Sequence, residues 1–171
     1  LLSRAASIPA GLRGARKLMF IDAKKAHLGP PCEESVFIEL PSEAEGASTL
    51  CGRLNFWLYG MRGAAAAWGK HYSSLLESVG FVRGVKCGVV FFHPVRDISL
   101  AVHGADFTCC GLEEDLIWIK DLMESWFDIK VRAMLGPDAT DDKGTVILGR
   151  VVKYCRSCMV KISKSATYNN D

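Results

Sequence analysis

The stretch SLAVHGADFTCCG, Ser99–Gly111, decides how this chain is read. Apolar residues flank Gly104 on both sides, which predicts two short strands joined by a tight turn with Asp106 at its tip. A carboxylate at a hairpin tip is either an ordinary turn residue or what remains of a metal site. Ala105 beside it sharpens the question.

On the C-terminal side the pattern changes period. LEEDLIWIKDLMESWF, residues 112–127, places Leu112, Leu116, Ile119, Met123 and Trp126 on one face of a helix. Glu113, Glu114 and Asp115 fall in its first turn, where carboxylates meet the positive end of the helix dipole. DIKVRAML then reads as a strand, GPDATDDKG as a loop and TVILGRVVKY as one more strand. After Tyr154 no periodic pattern is visible.

On the N-terminal side GVVFFH is a strand and PVRD a turn. Before them a helix is predicted from Ala64 to Val79, with Trp68, Tyr72, Leu75 and Val79 on its apolar face and Gly80 as its stop. SVFIELP reads as a strand ended by Pro41, and KLMFIDA as a buried strand ending near Asp22. A helix is expected over residues 1–16, feeding that strand. The order is helix, strand, strand, helix, strand, hairpin, helix, strands. Strands outnumber helices and hairpins are frequent, so the expected class is α+β, an antiparallel sheet with helices packed on one face.

Composition sets the outer limits. The 171 residues are 49% hydrophobic and 23% charged, enough for one domain with a real core. No apolar run approaches the ~20 residues of a membrane-spanning helix. A net charge of +2 neither requires nor excludes a polyanion. The seven cysteines are odd in number, and Cys109 and Cys110 are adjacent, which suits reduced thiols in an intracellular protein, cytoplasmic or nuclear. Cys155 and Cys158 make one C-x-x-C pair, without the second pair that a structural zinc needs. Residues 1–21 are basic and acid-free, as in a mitochondrial transit peptide, but a helix leading into the first strand is the preferred reading.

Asp22 follows one buried strand and Asp106 sits on a hairpin, so the two carboxylates can meet on the open face of the sheet. Paired carboxylates from neighbouring strands suit hard cations such as Mg²⁺ and two-metal transfer of phosphoryl or nucleotidyl groups. Three segments add to this. FIDAKKAHL, LYGMRGAAAAW and VHGADF resemble the reverse transcriptase domain of copia-type LTR retrotransposons, in its D-x-K-x-A-F-L, L-Y-G-L-K-Q-A-P-R-A-W and Y-V-D-D motifs. FFHP, DIKVRAMLG and ILGRVV resemble that family's flanking segments, and the resemblance runs from about Lys17 to Tyr154.

The resemblance implies a polymerase palm over residues 17–154, a fingers remnant over 1–16 and a divergent tail over 155–171. It implies RNA-directed DNA synthesis with Mg²⁺, an RNA template, a DNA primer and deoxynucleoside triphosphates as partners, and no membrane. It assigns Asp22 and Asp106 to catalysis and metal, and His27, Arg62 and Gly63 to the nucleotide. Ala105 stands where the first Asp of the hairpin pair belongs, Gly63 where the family has Gln, His103 where it has Tyr, and His27 where it has an aromatic gate. These departures imply impaired catalysis. Side-chain alternation adds the expectation that Asp106 points away from the position Ala105 vacates.

Plainer readings stand beside these. His27 is as well explained as a surface residue at a strand end, Trp68 as a core anchor, and Lys24 and Lys25 as a solvated edge. As a whole, the chain also fits a non-enzymatic nucleic-acid-binding remnant or an unrelated α+β interaction domain.

Overall fold

The computed structural model describes residues 14–46, 48–155 and 159–164. Most of the helix expected over residues 1–16, the Cys158 partner of the C-x-x-C pair and residues 165–171 of the tail lie outside them. The chain divides into two compact units, one formed by residues 25–78 and the other by the rest.

The larger unit is built on a six-stranded antiparallel sheet. Its strands are β1 (Lys17–Ala23), β4 (Val82–Arg83), β5 (Val90–His93), β6 (Ile98–His103), β7 (Asp106–Gly111) and β8 (Ile129–Leu135), in the order β4-β5-β6-β7-β1-β8. β1 reads KLMFIDA because it is interior: Leu18, Met19, Phe20 and Ile21 are all at most 3% exposed, so both faces must be apolar. The β6–β7 connection is the predicted tight turn. Gly104 takes a φ of 61° and Ala105 stays at negative φ, the pattern of a type II′ turn with Gly at the first central position.

The sheet's two faces are finished differently. On one face lie Met19 and Ile21 of β1, Phe107 and Cys109 of β7, and Leu100 and Val102 of β6, all buried. Helix α2 (Glu113–Trp126) covers this face with Leu116, Ile119 and Met123, and Leu116 reaches the β7 backbone at Gly111. Asp115 in its first turn is buried against Arg96, 2.9 Å away, and the Arg96 guanidinium lies 4.1 Å from the centre of the Trp118 ring. On the other face Leu18, Phe20, Cys110, Ala133 and Leu135 pack with Val152 and Ile147 of a second sheet. That sheet runs β11-β10-β9, from β9 (Gly144–Ile147), β10 (Arg150–Cys155) and β11 (Met159–Lys164). Adjacent Cys109 and Cys110 therefore sit on opposite faces, both fully buried, and burial together with the Cys110 thiol beside it pushes the Cys109 thiol up to about 12.

The smaller unit holds a 3₁₀ turn (Ala26–Leu28), the two-stranded ribbon β2 (Phe37–Glu39) with β3 (Cys51–Arg53), and helix α1 (Ala64–Ser78). The buried line of α1 runs through Ala64, Trp68, Tyr72 and Leu76, the i+4 row, while Leu75 is only partly buried. Trp68, at 2% exposure, is a core anchor as its plainer reading has it.

The α+β class, the antiparallel sheet and the two helices match expectation. TVILGRVVKY does not: it is a hairpin, β9 and β10, closed by Leu148 and Gly149 with φ values of 50° and 69°. Positive φ at both central residues is the signature of a type I′ turn, which Asn-Gly favours and leucine resists, so the sequence carries no turn signal there. Leu148 is exposed and gains no burial in return. Leu148→Asn is expected to stabilise the protein by about 0.5–1 kcal/mol, read as a higher urea midpoint at unchanged m-value.

A charge cluster fixes the start of β1. Lys17, 3% exposed, donates to Glu113, Asp138 and Asp141 at 2.9, 2.8 and 2.7 Å. Burial alone would lower its pKa, but the three carboxylates outweigh it and raise the group above the ordinary lysine value. A raised folded pKa gives stability that is complete below the unfolded value of about 10.4 and is lost as pH climbs through the folded one. Lys17→Met, which strands the buried Asp141 carboxylate, is expected to cost about 2–3 kcal/mol at pH 7. Denaturant melts of both proteins should show that gap narrowing above pH 11.

Candidate active site

Asp22 lies at the end of β1 and Asp106 at the start of β7, and the two are register partners. The Ala23 amide donates to the Ala105 carbonyl at 2.9 Å, so residues 23 and 105 form a hydrogen-bonded pair. The next pair, Asp22 with Asp106, is then of the non-hydrogen-bonded kind, with Cα atoms about 4.5 Å apart and side chains closest. Both project from the face of Leu18 and Phe20. The side chains are 28% and 25% exposed.

Like charges directly opposite in a sheet repel. The relief comes from β8. The β1–β8 register pairs Phe20 with Ala133 but Ile21 with Val131, so Arg132 is the extra residue of a β-bulge. A bulge re-aims the side chain it carries. Arg132 Nη2 donates to Asp22 Oδ1 at 2.7 Å and lies 3.3 Å from Asp106 Oδ1. The second contact is an ion pair without hydrogen-bond geometry, and Asp106 Oδ1 is buried with no hydrogen-bond partner. The neighbouring strands add Lys130, register partner of Asp22, and His103, register partner of Asp106, both exposed.

Asp106 is the first residue of β7 and faces Asp22 across the ladder. Arg132 was not singled out from the sequence. Its only trace was the pair of cations Lys130 and Arg132 in an otherwise apolar strand, and a bulge leaves no mark in the spacing.

His27, Arg62 and Gly63 belong to the smaller unit. His27, in the 3₁₀ turn, is partly buried with its ring edge-on to Tyr59, centroids 5.5 Å apart. Arg62 is exposed. Gly63 lies under the Trp57 ring, where an added Cβ would fall 2.2 Å from ring carbon Cη2. A glycine stands there because the buried indole already fills the side chain's place. Among the described residues no group of three or more His, Cys, Asp or Glu is arranged to hold a metal ion, and no helix is long and apolar enough to cross a membrane.

No protein-family model matches the chain, and no curated protein matches it at a significant level.

Gly63→Gln is expected to destabilise the protein by about 1–3 kcal/mol through overpacking against Trp57. In a double-mutant cycle read by urea midpoints, the same change in a Trp57→Ala background should cost much less.

Proposed function

We propose that this chain is a degenerate palm of the copia reverse transcriptase type, an RNA-directed DNA polymerase domain with impaired catalysis. One observation carries the reading: Asp22 and Asp106, on the end of an interior strand and the start of a hairpin strand, are register partners on one face of an antiparallel sheet. That is the constellation the three sequence segments imply. Impairment rests on Ala105, which offers no carboxylate, and on Arg132, which already engages the carboxylates that are present. A metal ligand worth about 4 kcal/mol in the transition state is about a thousandfold in rate.

Arg132 also favours a second reading, a nucleic-acid-binding remnant without chemistry. With Lys130 it puts two cations at the end of the face where a primer–template would lie. One experiment addresses both. The purified chain is given an RNA template, a DNA primer, deoxynucleoside triphosphates and Mg²⁺, and extension and retention are measured at 50 and 200 mM salt. We expect extension at least about a thousandfold below that of an intact polymerase. We expect retention at low salt, weakening about tenfold or more across the fourfold salt step as two or three phosphate contacts are screened. A chain that neither extends nor retains the duplex at 50 mM salt overturns both readings.

A further inference from the structure

The carboxylate pair raises a question that the polymerase reading leaves open: what balances its charge. Two carboxylates opposed in a non-hydrogen-bonded pair repel, and a cation between or beside them relieves that repulsion. In the expected chemistry that cation is Mg²⁺, a hard ion that demands near-octahedral oxygen coordination. The residues here do not fit it. They supply two carboxylates, an alanine in the adjoining turn, and a guanidinium within 2.7 and 3.3 Å of one oxygen of each carboxylate.

We infer that Arg132 is the tethered counter-ion of the Asp22–Asp106 pair, placed by the β8 bulge where a divalent ion would have to stand, so that the chain keeps its acidic pair without metal. The inference rests on the palm reading only in taking Mg²⁺ as the competing ion. Three observations support the rest. The bulge falls at Arg132 itself, between the register pairs Phe20–Ala133 and Ile21–Val131, so the backbone departs from regularity where the side chain must be turned toward the pair. One guanidinium nitrogen serves both carboxylates, as a bridging cation does. Asp106 Oδ1 is buried without a hydrogen bond and lies 3.3 Å from Arg132 Nη2. A tethered cation has no association entropy to lose, so dilution does not remove it and a chelator does not reach it.

The test uses thermal melts of the whole chain without nucleic acid, so its outcome is separate from that of the polymerase reading. Wild type, Arg132→Gln, Asp106→Asn and the double variant are melted in chelator and in 10 mM MnCl₂ at matched ionic strength. Wild type should melt at one temperature in both. Arg132→Gln should melt about 3–6 °C lower in chelator, and this loss should shrink by half or more in the Asp106→Asn background, where only one charge is left to balance. If Arg132→Gln does not fold in chelator, Arg132→Lys takes its place: it keeps the charge but not the fork, and should lose less stability with Asp106→Asn than with Asp106 present. Equal losses in both backgrounds overturn the counter-ion. A Mn²⁺ stabilisation of wild type that Asp22→Asn abolishes overturns it too, because the pair would then hold a metal despite Arg132.

Discussion

The larger unit depends on the register of β1. This strand is hydrogen-bonded along both edges, to β7 and β8, and buried on both faces. A slip of one residue would move Met19 and Ile21 off the face that α2 covers and send Leu18 and Phe20 there instead. Each of these side chains is worth about 1.5–3 kcal/mol in burial, so the register is held by several such terms at once. The opposition of Asp22 and Asp106 is a by-product of that fit. An apolar core brings two negative charges face to face, and the local chemistry must then accommodate them.

The accommodation comes from the neighbouring strand. β8 gives up one ladder position at its bulge and delivers a cation to the pair. Lys17, at the other end of β1, shows the converse arrangement: one buried cation serves three carboxylates, two of which keep substantial contact with water. The strand is thus bounded by electrostatic contacts at both ends and apolar between them. In the proposed palm the Asp22 end would face primer and template, and its near-neutral balance suits holding a backbone better than driving nucleotidyl transfer.

What could be read in advance follows from how local the determining forces are. Helix α2, the hairpin at Gly104 and the interior strand β1 were legible, because each is specified by its own residues: a 3.6-residue stripe, a turn glycine, an uninterrupted apolar run. Asp22 and Asp106 were legible as candidates for the same reason. The β9–β10 hairpin was not, since Leu148 takes a left-handed conformation that its side chain opposes and only the surrounding pairing enforces. Strand β2 lies within SVFIELP and was legible, whereas β3, three residues long, is too short to show a period. Arg132 and the Gly63–Trp57 contact were hidden more deeply. One depends on a two-against-one count between strands, the other on the Trp57 ring folding back over Gly63 across an irregular stretch that shows no period.

The burial of Cys109 and Cys110 on opposite sides of β7 has a practical outcome. Thiol reagents attack the thiolate, which burial suppresses at Cys109, whereas Cys51 and Cys87 are exposed. Labelling at the two surface positions therefore proceeds at the reagent's own pace, while β7 reacts only when the centre of the sheet comes apart. The ratio of the two rates measures how seldom the core opens. The molecule thus carries an internal stopwatch for its own unfolding, with a reference channel built into the same chain.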